Sequence, residues 1–156
     1  MLNFLPMIPL AYFGLKLSII DLRTHRLPNQ IVGQFAIVEF TALLATSWMT
    51  SDLLRFAKAL GVATAIMAGY LLLYIFSRGA MGFGDVKFAF PLGLCVGWFA
   101  AEYWLMSLFA TFLIAGLVSL FGLAVGRINR KSKLALGPYM FAGTLLTLVY
   151  GLGLLF

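Results

Sequence analysis

The sequence predicts an all-α polytopic membrane protein, a bundle of about six transmembrane helices. Of its 156 residues, 63% are hydrophobic and 10% are charged, which is more apolar surface than one soluble core of this size could bury. The apolar residues fall in long runs separated by short polar gaps. Because a helix needs roughly 20 apolar residues to cross a bilayer, we expect a single transmembrane domain over residues 1–156, without a separate soluble domain.

The first three helices are predicted at residues 3–20, 31–50 and 54–77. The N-terminal run lacks the basic segment and cleavage site of a signal peptide, so we interpret it as a retained first helix. Pro28 disfavours helix at the residue before it, and Asn29 can cap the second helix. Asp52 is predicted to cap the third helix. The longest predicted loop therefore runs from Asp21 to Gln30.

The last three helices are predicted at residues 86–101, 103–126 and 136–156. The fourth is short for a span, and Asp85 directly before it is a candidate cap. Trp48, Tyr103 and Trp104 are interpreted as anchors at the membrane interface.

The basic residues predict the orientation. Eight of them fall in the gaps after the first, third and fifth helices: Arg23, Arg26, Arg78, Lys87, Arg127, Arg130, Lys131 and Lys133. The other gaps hold only Arg55 and Lys58. By the positive-inside rule, the first set faces the cytoplasm and both termini face the other side. This dispersed placement explains the net charge of +6 better than a nucleic-acid site does, so we expect no nucleic-acid partner.

This orientation places Asp21 and Asp85 at the same membrane face. Two neighbouring acids at the edge of a low-dielectric medium cannot both ionise cheaply, so they share a proton. In such a pair the ionised carboxylate takes a proton from attacking water, while the protonated one polarises a peptide carbonyl and then helps the amine leave. We therefore expect no cofactor and no metal, and the single cysteine and single histidine also argue against a metal site.

Three glycines precede Asp85, at positions 79, 82 and 84. Gly82 and Gly84 lack a Cβ atom, so we expect unusual backbone dihedrals there and room for an extended substrate strand. Glu39, near the middle of the second helix, is expected to face the bundle interior and to bond to a neighbour such as Gln34 or a hydroxyl. Taken alone, Asp21 has a plainer interpretation as a solvated helix end.

Together these segments resemble the type IV prepilin peptidase family, the membrane aspartic proteases that process prepilins and pseudopilins. DLRTHRLPN at 21–29 is similar to the first family signature, in which an aspartate and an arginine precede a hydrophobic-Pro-Asn ending. GAMGFGDVK at 79–87 is similar to the second, the GxGD motif with a lysine two residues beyond. LGPYMFAG at 136–143 resembles the Gly-Pro-aromatic segment that begins the last helix of the family.

The resemblance implies an aspartic endopeptidase of the inner membrane that cleaves the basic leader from prepilin or pseudopilin substrates at the cytoplasmic face. Asp21 and Asp85 would be the catalytic pair. The residues implied to support the loops or contact substrate are Arg23, Asn29, Gly82, Gly84 and Lys87. The long family members carry an additional cytoplasmic segment with a cysteine tetrad. This chain shows neither, so methyltransferase activity is not expected, and the short form resembles the peptidases of tight-adherence (Flp) pilus systems.

Two other classes fit the composition. In a small transporter or channel subunit, Glu39, Asp21 and Asp85 would form an ion or proton path, although the sequence shows no related halves with paired broken helices. In a noncatalytic assembly partner, the fold would be kept without the reaction. The expected partners are the prepilin substrate and membrane lipid, and the sequence predicts no particular oligomeric state.

Overall fold

The computed structural model describes residues 2–77, 81–126 and 135–154, and within these ranges the chain is helical and has no strand. The helices are α1 (Met7–Thr24), α2 (Asn29–Thr50), α3 (Leu53–Phe76), α4 (Phe83–Phe99), α5 (Trp104–Ala124) and α6 (Gly137–Gly151). Short 3-10 turns at Leu2–Phe4 and Ala101–Tyr103 precede α1 and α5. The predicted all-α fold with six helices is confirmed.

Three segments are long and apolar enough to cross a membrane: Asn29–Thr50, Leu53–Phe76 and Ala101–Ala124. The outer surface of the bundle carries many large apolar side chains, among them Phe109 and Phe121, which are 70% and 72% exposed. Such a surface is costly in water and favourable in lipid. The structure is therefore that of an integral membrane protein.

Helix α4 lies at the centre of the bundle and contacts all five other helices. Every residue from Pro91 to Ala100 is buried. The prediction that this helix is short is also confirmed, since its 17 residues extend only about 25 Å. Because its neighbours surround it, α4 needs neither the length nor the lipid-facing surface of a free-standing span.

The most extensive helix contact is between α3 and α4, and it depends on small side chains. A Cβ atom at Gly93 would lie 2.7 Å from Cα of Ala63, and one at Gly97 would lie 2.6 Å from Cα of Ala59. The two glycines and the two alanines are each spaced four residues apart, so they form matching flat strips on one face of each helix. Without side chains between them, the two backbones approach closely, as is common where membrane helices associate.

We predict that Gly97→Ala lowers the thermal unfolding temperature of the detergent-solubilised protein. The added methyl group would force α3 and α4 apart, at a cost of about 1–3 kcal/mol for an overpacked contact. Gly61→Ala is the matched control, because a Cβ atom at Gly61 meets nothing within 4 Å. Equal unfolding temperatures for the two variants would contradict this account of the α3–α4 contact.

The predicted boundaries were wrong on both sides of the first loop. Helix α1 continues to Thr24 instead of ending at residue 20, so Asp21 belongs to its last turn. His25 then ends the helix with a left-handed φ of 52° and donates its N–H to the backbone carbonyl of Asp21. With α2 beginning directly after Pro28, only residues 25–28 remain outside the two helices.

Helix α4 also begins earlier than predicted, at Phe83 instead of residue 86. Consequently Asp85 lies inside its first turn. Helix α6 ends at Gly151, followed by a turn in which Gly153 has a φ of 66°, whereas the prediction continued it to residue 156. Gly79 and five of the basic residues used for the orientation lie outside the described residues: Arg78, Arg127, Arg130, Lys131 and Lys133.

Candidate active site

Asp21 is a buried carboxyl group held by the start of another helix. Its side chain is 4% exposed, and Oδ2 accepts a 2.8 Å hydrogen bond from the backbone N–H of Gly137, the first residue of α6. The N-terminus of a helix carries free N–H groups and partial positive charge, which favour an ionised carboxylate there. A Cβ atom at Gly137 would lie 2.9 Å from the same Oδ2, so this approach requires a residue without a side chain.

Asp85 is a second buried carboxyl group, 8% exposed. The prediction that it caps α4 was wrong in position, because Gly82 occupies the N-cap and Asp85 is the third helical residue. Its Oδ2 reaches back to accept a 3.2 Å hydrogen bond from the N–H of Gly82. Oδ1 has no hydrogen-bond partner in the part of the chain that the structure describes.

Two contacts hold the two motif segments together. Nζ of Lys87 donates a 3.0 Å hydrogen bond to Oδ1 of Asn29, and a Cβ atom at Gly84 would lie 3.1 Å from Cβ of Leu27. The prediction that Asn29 caps α2 was therefore wrong, since Pro28 takes the N-cap position and the side chain of Asn29 bonds to α4. Segments far apart in the sequence are thus fixed at one end of the bundle.

The glycines differ from the expectation in their conformation. Gly82 is extended, with φ −77° and ψ 141°, and Gly84 is helical with no positive φ, so neither has unusual dihedrals. Gly84 instead supplies space for Leu27. Arg23 is exposed and makes no hydrogen bond or ion pair with any described residue.

The two carboxyl groups interact electrostatically. They lie at helix ends outside the three apolar spans, Asp21 in the last turn of α1 and Asp85 in the first turn of α4. Burial, followed by the negative charge of Asp21, raises the pKa of Asp85 from 3.8 to about 7, against a smaller lowering by the N–H of Gly82. Burial also raises the pKa of Asp21, while the N–H of Gly137 and the nearby His25 oppose that rise. Burial and the charge of Asp21 thus both favour the protonated form of Asp85.

A cavity of about 600 Å³ adjoins Asp85. Asp85 and Gly82 form part of its wall, and so does Leu136, which directly precedes the glycine bonded to Asp21. The rest of its lining comes mainly from apolar residues of α3 and α5. The carboxyl group of Asp85 thus adjoins a space large enough for several side chains of another molecule.

The part played by Gly137 was not predicted from the sequence. The segment LGPYMFAG was recognised as similar to a family segment, but no site role was assigned to it. The glycine before Pro138 was the available signal, because it leaves the first turn of α6 open for another group. Which group enters that turn depends on the packing of α1 against α6.

Glu39 lies away from the pair and is completely buried. Its Oε1 accepts a 2.9 Å hydrogen bond from Sγ of Cys95, whereas Oε2 is buried and has no hydrogen-bond partner among the described residues. The expected partner was Gln34 or a hydroxyl group, and the structure places a thiol of α4 there instead. This hydrogen bond links α2 to α4 inside the bundle. The hydrogen bond between Lys87 and Asn29 links the same two helices at one end of the bundle.

Comparison with known proteins gives a match to one family model and to proteins from two bacterial strains. The model of the type IV leader peptidase family matches residues 8–120, which include both aspartates. The chain is also similar to the prepilin leader peptidase/N-methyltransferase of Burkholderia pseudomallei, from strains 1026b and K96243. Each is 29% identical over 151 residues, covering 91% of this chain and 47% of the relative. The chain thus spans about half the length of these relatives. No solved structure matches it significantly.

Proposed function

Since the chain belongs to the type IV leader peptidase family, we propose that it is an aspartic endopeptidase that removes the basic leader from prepilin or pseudopilin substrates. The observation that carries the proposal is the electrostatic pairing of two buried carboxyl groups from separate helices, Asp21 and Asp85, the second of which lies in the wall of a cavity. The name of the relatives, which includes prepilin leader peptidase, supports the choice of substrate. The proposal concerns the peptidase activity alone.

In the proposed mechanism, ionised Asp21 accepts a proton from a water molecule as the water oxygen attacks the carbonyl carbon of the scissile bond. Protonated Asp85 donates a hydrogen bond to the carbonyl oxygen and stabilises its developing negative charge. The resulting tetrahedral intermediate collapses when the proton on Asp21 passes to the leaving nitrogen and the C–N bond breaks. The surroundings of the two carboxyl groups favour these roles. The N–H of Gly137 and the nearby His25 stabilise the charged form of Asp21, whereas burial and the charge of Asp21 favour the protonated form of Asp85.

The supporting residues act on the geometry of the pair. Lys87, Asn29 and Gly84 fix the loop after α1 against the start of α4, and Gly82 donates to Asp85. Arg23, exposed in the same region, contacts the substrate. The peptidase domain lies in the inner membrane, and its active site faces the cytoplasm. The basic leader of a substrate would remain on that side of the membrane.

The proposal is tested by incubating the purified protein in detergent or liposomes with a panel of prepilins and pseudopilins. Mass spectrometry of the products locates each cut. We expect one cut in at least one substrate, between the basic leader and the apolar stem. If no member of the panel is cut there, or if cleavage persists without added protein, the proposed function is wrong.

We predict a bell-shaped dependence of cleavage rate on pH. On the basic side the rate falls as pH rises through about 7, because Asp85 then loses the proton that polarises the carbonyl. On the acidic side it falls as Asp21 becomes protonated, at a pH above the ordinary carboxyl value of 3.8. The measurement is kcat/KM from pH 4 to 9. A rate that keeps increasing above pH 8 would contradict an acid role for Asp85.

A further inference from the structure

The lining of the cavity beside Asp85 is mainly apolar. Apart from that carboxyl group, no charged side chain among the described residues lines it, and most of its surface comes from residues such as Leu73, Phe76 and Phe112. Among these residues a basic leader would find one acidic partner, two serine hydroxyl groups and otherwise apolar surface. The lining therefore matches an apolar segment better than a basic one.

The cavity also opens sideways. Phe76 of α3 and Gly116 of α5 both line it and are also exposed at the outer surface of the bundle. Helix α3 packs extensively on α4 but makes few contacts with α5, and the cavity lies between α3 and α5 on the side of Asp85. Both helices belong to segments able to span a membrane, which means that this opening faces lipid.

Helix α5 contributes small side chains to the opening. Ala115, Gly116 and Ser119 line the cavity, and a Cβ atom at Gly116 would meet nothing within 4 Å. From Phe112 to Ser119 the lined face extends about 10 Å along α5. A larger residue at Gly116 would therefore project into the cavity without disturbing the packing of the bundle.

Building on the proposed function, we propose that the apolar stem of the substrate enters from the bilayer between α3 and α5, and that Gly116 lies against the residues following the scissile bond. The scissile carbonyl must reach Asp85, which lies in the wall of this cavity. The residues that follow the cut then occupy the apolar space between the two helices, while the leader extends away from it. The size of residue 116 thus limits which stems can bind.

The first test compares Gly116→Leu with Gly61→Leu on a prepilin that the wild type cleaves. Gly61 is the matched control because it is also an exposed glycine within a membrane-spanning helix, with nothing within 4 Å of a Cβ atom, and it does not line the cavity. We expect KM for Gly116→Leu to increase at least tenfold with little change in kcat. Gly61→Leu should match the wild type.

The second test measures binding without cleavage. A photo-crosslinking amino acid at position 116 or 61 is introduced in an Asp21→Asn background, and the attachment point on the prepilin is found by mass spectrometry. We expect position 116 to crosslink to the stem at least ten times more than position 61. This measurement holds even if Gly116→Leu unfolds the protein.

The outcomes separate the two proposals. If the wild type cleaves no prepilin, the proposed function fails, and this inference fails with it. If the wild type cleaves but Gly116→Leu behaves as Gly61→Leu does, only the entry path is wrong. Crosslinks from position 116 to the leader, or equal crosslinks from both positions, would also overturn it.

Discussion

Asp21→Asn and Asp85→Asn should each reduce prepilin cleavage by about 10³-fold or more, because each removes one half of the acid–base pair. Asn at position 21 cannot accept the proton of the attacking water. At position 85 its amide N–H is a much weaker acid than a carboxyl group, so it stabilises the developing negative charge on the carbonyl oxygen far less. The measurement is single-turnover cleavage of a prepilin by the purified variants.

The experiment has to distinguish a loss of catalysis from a loss of the folded protein. Burial raises the pKa of both carboxyl groups, so neutral amides in their place should not lower the thermal unfolding temperature much. Glu102→Gln is the control, since Glu102 is exposed at the other end of the bundle and should leave the rate unchanged. Normal cleavage by either aspartate variant would refute the assignment of the pair.

Gly137→Ala should reduce the cleavage rate by about 10²-fold, which is the scale expected for displacing a catalytic group by about 1 Å. The new Cβ atom would lie 2.9 Å from Oδ2 and 3.2 Å from Cβ of Asp21, too close for the present arrangement. Either the carboxyl group or the start of α6 must move, and the hydrogen bond that holds Asp21 is weakened.

The pH profile of the cleavage rate distinguishes an effect of Gly137→Ala on Asp21 from a purely structural effect. The N–H of Gly137 lowers the pKa of Asp21, so weakening that bond should move the acidic limb of the rate profile to higher pH. Gly33→Ala is the matched control, because Gly33 lies near the same end of the bundle and a Cβ atom there meets nothing within 4 Å. An unchanged rate and profile for Gly137→Ala would show that this contact has no role in the reaction.

Some of the site could be predicted because its signals are local. Asp21 and Asp85 are rare charges next to long apolar runs, and Pro28 and the glycines before Asp85 mark loops by their backbone chemistry. Asp52 was predicted to cap α3, and its Oδ1 does accept the N–H of Arg55. Capping depends on residues within one turn, so the sequence alone contains the necessary information.

The errors came from competition between local preferences. Asn29 and Asp85 are both good N-cap residues, and each was predicted as a cap. In the structure Pro28 and Gly82 take those positions, and the polar side chains bond to Lys87 and to the backbone of Gly82 instead. A local preference of about 1 kcal/mol is small enough for a tertiary contact to override it.

By itself, the sequence determined that this chain forms apolar helices, where most of the loops fall, and that Asp21 and Asp85 lie near helix ends, because hydrophobic runs and helix-breaking residues act over a few neighbouring positions. Only the tertiary structure decided that Gly137 binds Asp21, that Cys95 binds Glu39, and that a cavity lies beside Asp85 between α3 and α5. These contacts join residues more than fifty positions apart in the sequence, and they depend on which helix faces pack together. Similar apolar runs allow many such pairings, so the complementary shapes of the small residues, and not hydrophobicity, select the one that forms.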